Sequence, residues 1–177
     1  NKVEKFGRQW NKVENSSYLC LLRIRINMVT FIGEYTARLD DKGRLVFPAP
    51  FKALLPSGGD QRFVIRKDLF EPCLEMYTYE EWMKQSDSVK ESLDLTFNQK
   101  HAAFWREYLR NRDMVEPDPR FGRITISRKL LDSIGVNKEV VFSGNDFKIE
   151  IWSKENYERS GLSDQEFIAI AESLSKK

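Results

Sequence analysis

The stretch Gly43-Arg44-Leu45-Val46-Phe47-Pro48-Ala49-Pro50-Phe51-Lys52-Ala53-Leu54-Leu55 returns 79 residues later as Gly122-Arg123-Ile124-Thr125-Ile126-Ser127-Arg128-Lys129-Leu130-Leu131-Asp132-Ser133-Ile134. Leu45 lies over Ile124, Phe47 over Ile126, Phe51 over Leu130 and Leu55 over Ile134, so apolar character is kept where a strand and then a helix would face a core. Downstream, Phe63-Val64-Ile65 lies over Val140-Val141-Phe142 at an offset of 77, and Leu74-Glu75-Met76-Tyr77-Thr78 over Ile149-Glu150-Ile151-Trp152-Ser153 at 75. The falling offset marks loop deletions. Glu80 with Glu155 and Trp82 with Tyr157 extend the match. The chain therefore reads as two homologous copies of one unit, at about residues 34–85 and 115–160.

Each copy follows the same local pattern. Residues 33–38 predict a short strand, Asp40-Asp41-Lys42-Gly43 a turn in which glycine supplies a positive φ, and 44–47 the returning strand of a hairpin. Pro48 suits a helix start, and Phe51, Leu54 and Leu55 give one apolar face that Gly58-Gly59 ends. Strands follow at 62–66 and 73–77, where the alternation Leu74-Glu75-Met76-Tyr77 predicts one buried and one wet face. Thr78 and Ser153 are expected helix N-caps, the second opening a helix over 154–159.

Between the copies, 96–112 places Phe97, Phe104, Trp105, Tyr108 and Leu109 at helical spacing, with Lys100, Arg106, Glu107 and Arg110 on the other sides. This predicts a linking amphipathic helix whose aromatic stripe is packing surface and not a cofactor box. Residues 164–174 predict a short C-terminal helix whose Phe167, Ile168, Ile170, Ala171 and Leu174 need a surface to lean on, such as another protomer. The expected organisation is an extension over 1–27, a first half over 28–85, a linker over 86–114, a second half over 115–160, and a C-terminal helix and tail over 161–177.

Composition narrows the function classes. The 177 residues hold 29 Lys+Arg, 27 Asp+Glu, one His and two Cys, with 41% hydrophobic and 12% aromatic residues, which excludes disorder, collagen and a disulfide scaffold. The longest apolar run, 18–22, is too short to span a bilayer or to serve as a signal-peptide core, and Arg23 and Arg25 follow it. Cys20 and Cys73 are too far apart for a metal knuckle and fit a reducing cytoplasm. The net charge of +2 is uneven: residues 1–27 carry six Lys+Arg and two Asp+Glu, which leaves 23 and 25 for the rest. Nucleic-acid binding by residues 28–177 must then rest on where a few cations stand. Met28 is the expected natural initiator, with 1–27 a start-site extension; the alternative is a flexible arm.

No residue set declares catalysis. His101, the sole histidine, falls in the amphipathic helix, which disfavours a hydrolytic triad and reads as a helix-surface or packing residue. One His and two distant Cys do not make a metal site, and no phosphate-cradling pattern is present. Carboxylates are plentiful without a pair that stands out. What does stand out is the same cation at the same place in both copies: Arg44 and Arg123, each after a glycine at a turn, with Lys42 and Arg120 beside them. An exposed guanidinium there suits guanine's major-groove edge or a phosphate. The equal alternative is an ion pair in which Asp40 holds Arg44 to fix the turn.

Asp40-Asp41-Lys42-Gly43-Arg44-Leu45-Val46-Phe47-Pro48 resembles the Asp-x-x-x-Arg signature of the MraZ family, bacterial members of the AbrB/SpoVT-like transcription factors, with a degenerate copy in the second half. The resemblance runs from Met28 to about Ser175 and includes the Met28-Val29-Thr30-Phe31-Ile32-Gly33 opening. It implies an α+β fold, a double-split AbrB-like swapped-hairpin β-barrel of two interleaved halves, assembled as a ring-shaped homo-oligomer. It also implies a cytoplasmic, nucleoid-associated, non-enzymatic regulator that binds repeated elements in double-stranded promoter DNA of the division and cell-wall gene cluster. No cofactor, metal, membrane or small-molecule substrate is implied. Carried onto this chain, Arg44 and Arg123 contact DNA with Lys42 and Arg120 nearby, while Asp40, Gly43 and Gly122 support the loops. The second copy departs from the signature: four residues before Arg123 stands Pro119, with Asp118 one further back. Either that turn is one residue longer or its arginine is held differently. The rival readings are a protein–protein assembly adaptor with incidental DNA binding and an antitoxin-like partner of a toxin chain.

Overall fold

The computed structural model describes residues 29–175. Met28, the segment before it and Cys20 lie outside the described residues, and with them the expectations placed on an initiator and an extension. Chain order is β1 (Phe31–Arg38), β2 (Arg44–Val46), α1 (Ala49–Ala53), β3 (Phe63–Lys67), β4 (Cys73–Thr78), α2 (Tyr79–Glu91), α3 (Gln99–Tyr108), β5 (Arg112–Val115), β6 (Arg123–Thr125), α4 (Arg128–Ser133), β7 (Glu139–Asp146), β8 (Lys148–Ser153), α5 (Lys154–Arg159) and α6 (Asp164–Ser175). This is a mixed α+β fold. None of these helices is long and apolar enough to cross a membrane.

Six strands form an antiparallel sheet in the order β1-β7-β8-β4-β3-β5, and β2 pairs with β6 in a separate ribbon. Exchanging β1 with β5, β3 with β7 and β4 with β8 turns that order into its own reverse, so the sequence repeat becomes a pseudo-two-fold axis. Equivalent residues meet on it: Glu75 faces Glu150 across β4 and β8, and Leu45 faces Ile124 across the ribbon.

The expected hairpin closes as a turn but not as a ladder. The Asp40 N–H donates to the Arg44 carbonyl at 2.9 Å and the Gly43 N–H to the Asp40 carbonyl at 2.9 Å, yet β1 pairs along its length with β7, and β2 with β6. Turn chemistry brings the chain round; it does not choose the strand's partner. Leu45 and Ile124 are each the one inward residue of a three-residue strand, and pairing the two strands buries both side by side while satisfying their backbones. The β1–β7 ladder in turn needs close approach at Gly144, where a Cβ would stand 2.6 Å from the Phe31 backbone.

The ribbon closes over one face of the sheet. The Phe47 ring lies tilted 5.2 Å from Phe63 and edge-on 6.1 Å from Phe142, and Phe51 lies 5.4 Å from Phe31, so the repeat's apolar positions converge on one core. Phe51 and Leu55 are buried as expected, but Leu54 is exposed because α1 stops at Ala53 and leaves it as the C-cap.

The opposite face is not wet. Helices α2 and α3 lie over it, with Trp82 and Tyr108 stacked at 5.8 Å against Val64 and Tyr77. Glu75 and Tyr77 are therefore buried, contrary to the alternating reading of β4. Thr78 and Ser153 cap their helices by accepting from the N–H groups of Glu81 and Asn156, each at 3.3 Å. The linking helix is shorter than its periodicity suggested: Asn98 caps it, Phe97 lies outside it and is exposed, and Asn111, at φ 52°, turns the chain into β5 where helix was expected to end. Helix α6 forms as expected but buries none of its residues against the rest of the chain.

Candidate nucleic-acid interface

The ribbon fixes where the two arginines point. Leu45 and Ile124 face the core, so their neighbours Arg44, Val46, Arg123 and Thr125 share the outer face. Arg44 stands opposite Thr125 and Arg123 opposite Val46, which makes the arginines diagonal neighbours about 7–8 Å apart in backbone position. Neither is buried, and both line one open cleft with Met114, Glu116, Phe121 and Thr125.

The first turn is built on Asp40. One carboxylate oxygen accepts from the backbone N–H groups of Lys42 and Arg44, both at 2.9 Å. The other takes the Arg44 side chain, Nε at 2.9 Å and Nη2 at 2.8 Å. The Arg44 backbone N–H, followed by its guanidinium, holds the Asp40 carboxyl down at about 2. The ion-pair and DNA readings of Arg44 are thus compatible: the carboxylate takes one edge of the fork, and the side chain is still one-third exposed. Gly43, at φ 73°, supplies the left-handed turn.

The second turn is one residue longer, and its arginine is also held differently. The Asp118 N–H donates to the Arg123 carbonyl and the Gly122 N–H to the Asp118 carbonyl, both at 2.8 Å. The Asp118 carboxylate accepts from the backbone N–H groups of Arg120 and Phe121 at 3.0 and 2.6 Å. It makes no salt bridge to Arg123, whose guanidinium lies 5.4 Å from the Phe121 ring centre. Arg120 stands 4.9 Å from the same ring. Gly122, at φ 62°, turns the chain, and its carbonyl accepts from the Phe47 N–H at 2.8 Å, which ties the turn to the ribbon's end.

Lys42 and Arg120 are exposed on the two turns and do not line the cleft between the arginines. Arg120 instead lines an adjoining recess with Lys52, a cation the sequence reading passed over; its Nζ reaches the Pro119 carbonyl at 3.5 Å. No local motif marks Lys52, which sits in the helical segment after the ribbon.

Other candidates fall elsewhere. His101 is on α3, where its Nδ1 accepts the Asp94 N–H at 3.0 Å. Cys73 is buried in β4, and burial pushes its thiol well above the usual range. Among the described residues no cluster of three His, Cys, Asp or Glu could hold a metal ion. The carboxylates that do gather are on the pseudo-axis. Lys148 Nζ lies 2.8 Å from Glu75, 3.3 Å from Glu150 and 3.8 Å from Asp68, while Arg66 lies 3.6 Å from Glu75 with its guanidinium 4.2 Å from the Tyr108 ring. Burial works against the Lys148 charge, but Glu75 and Glu150 more than offset it and raise its affinity for a proton. Tyr77 donates to Glu75 at 2.9 Å. This network is satisfied internally and covered by α3, so it belongs to the fold's framework.

Comparison with known proteins places this architecture. The family described as "MraZ protein, putative antitoxin-like" matches residues 30–104 and 108–176. The chain is 34% identical over 150 residues to a Bacteroides fragilis protein named Transcriptional regulator MraZ, covering 85% of this chain and 94% of that one. A protein of the same name from Thermoanaerobacter pseudethanolicus is 39% identical over 144 residues, covering 81% and 95%, and one from Clostridium acetobutylicum 36% over 146, covering 82% and 97%. With both copies of the repeat matched and the paired arginine turns in place, the chain belongs to the MraZ family.

Proposed function

We propose that this protein is a DNA-binding transcriptional regulator that reads double-stranded promoter repeats with Arg44 and Arg123, while Lys42 and Arg120 meet flanking phosphates and Asp40, Gly43 and Gly122 hold the turns. The relatives' shared name supports regulation. The observation that carries the DNA reading is the ribbon: two guanidinium groups related by a pseudo-two-fold axis, on one outer face, each at a turn that leaves donors free. A fork of this kind takes the O6 and N7 acceptors of guanine.

A protomer offering two such loops on a nearly neutral body binds DNA weakly. We infer a homo-oligomeric ring of closed, interleaved barrels that presents many loops to spaced elements, with the division and cell-wall gene cluster as its target. The exposed apolar side of α6, with Phe167, Ile168, Ile170 and Leu174 uncovered in the protomer, supports assembly. Tethered loops then raise affinity by about 10²–10⁴ where repeats match their spacing.

The test is a fluorescence-anisotropy titration of the duplex just upstream of the protein's own gene against a scrambled duplex. Arg44→Ala is expected to weaken specific binding by about 5- to 150-fold per engaged loop, with an unchanged circular dichroism spectrum. Unchanged binding refutes the role of Arg44. Equal affinity for the scrambled duplex, with assembly intact, favours the adaptor instead.

A further inference from the structure

We infer that Phe121 is a positioning residue for Arg123, supplying through its ring face what Asp40 supplies to Arg44 through a carboxylate. The inference rests on the DNA-reading role proposed for Arg123 and names the group that orients it.

In the first turn the fork of Arg44 is clamped at two nitrogens by Asp40. The equivalent carboxylate, Asp118, is spent on the N–H groups of Arg120 and Phe121, and among the described residues Arg123 has no carboxylate within salt-bridge distance. Phe121 is 57% exposed, so hydrophobic burial does not account for a phenyl group on this turn. What its ring does touch is charge: Arg123 at 5.4 Å and Arg120 at 4.9 Å from its centre, within the range of cation–π attraction. The ring is itself fixed from below, since Asp118 binds the Phe121 N–H and Gly122 closes the turn behind it.

The two holders leave different chemistry available. A carboxylate consumes N–H donors and cancels charge; a ring face orients the guanidinium and consumes neither. Arg123 therefore keeps its full set of donors for a guanine edge or a phosphate, with its rotamers already narrowed, which lowers the ordering cost of binding. Arg44 is the better anchored reader and Arg123 the freer one.

The test compares Phe121→Leu and Phe121→Trp with Arg123→Ala in the full chain, using the same promoter duplex and anisotropy readout, together with the Arg Nε–Hε NMR resonances of the free protein. Leucine keeps apolar bulk and removes the π face, and is expected to weaken binding by about two- to fivefold per loop; tryptophan, with a stronger face, is expected to restore it. The Arg123 resonance is expected to lose its ring-current shift in Phe121→Leu while that of Arg44 stays in place. If Arg123→Ala weakens binding but both Phe121 variants bind as wild type with an unmoved Arg123 resonance, the positioning role is overturned and the DNA reading stands. If Arg123→Ala itself leaves binding unchanged, the reading role of Arg123 falls and takes this inference with it.

Discussion

In the first copy of the repeat, Asp40 grips both the backbone of its turn and the guanidinium of Arg44; in the second, Asp118 grips only backbone, and Arg123 is left beside a phenyl ring. The same divergence recurs along the halves. Helix α3 folds back over the first copy's outer face and buries Tyr108, whereas its counterpart α6 leads away and buries nothing. The two copies keep apolar character at the inward residues, which must fill one shared core, and diverge at many of the outward ones. The two halves keep the outward arginine itself, Arg44 and Arg123, and differ in what holds it.

The sharpest way to break this comparison is at the pseudo-axis, where Glu75 and Glu150 face each other but are not equally enclosed. Truncating Glu75 leaves the buried Arg66 and the partly buried Lys148 short of a partner and frees the Tyr77 hydroxyl. Glu75→Ala should cost about 3–5 kcal/mol in urea unfolding. Glu150→Ala leaves Lys148 its contacts with Glu75 and Asp68, and should cost less, about 1–3 kcal/mol. Equal losses would mean that the covering by α3 does not distinguish the two sides.

A smaller contrast lies in the helix caps. Asn98 accepts from the N–H groups of Lys100 and His101 at the start of α3, and Ser163 forms a reciprocal pair with Glu166 at the start of α6. Asn98→Ala should lower global stability by about 1 kcal/mol because α3 is packed on the sheet. In dilute protein Ser163→Ala should leave the global transition in place and reduce only the helical signal, since α6 frays without releasing a core. A matching loss at Ser163 would show that α6 is docked after all.

These contrasts also explain what could be read in advance. The repeat made every strand but β5, the two turns and the cap residues Thr78 and Ser153 legible, because each is a local pattern of apolar spacing or turn chemistry; β5 falls where the helical period of 96–112 runs on. Partner choice was not local. Nothing between Gly33 and Phe47 says that β1 will pair with β7 and β2 with β6; that depends on Leu45 and Ile124 meeting in a core assembled from both halves. Glu75 departs from its reading for a related reason: alternation in β4 tells which residues share a face, and only the aromatic residues of α2 and α3, brought over it by the tertiary fold, decide whether that face is dry. At the candidate site Arg44 and Arg123 were legible as repeated cations, and Pro119 flagged the altered turn. Phe121 was not singled out, since an aromatic in a turn carries no signal until its ring is seen against two guanidinium groups.

The smallest expected effect returns to the two turns and separates their holders by pH. Asp40 has its carboxyl held at about 2 against an ordinary value of 3.8, so its contribution is fully present above the ordinary value and is lost as pH falls through about 2. The pair is solvent-exposed and screened, so global stability should shift little across that window. The local readout is cleaner. A carbon-13 titration of the Asp40 carboxyl should show a midpoint near 2 that rises only part of the way toward 3.8 in Arg44→Ala, because the backbone N–H donors of residues 42 and 44 remain. Over the same range the Arg44 Nε–Hε resonance should move as its clamp is protonated, while that of Arg123 stays put, because a phenyl ring has no proton to gain. If both resonances move together, the two arginines share a carboxylate-dependent environment and the division between a clamped reader and a free one is wrong. If only Arg44 moves, acid loosens one of the two loops and spares the other.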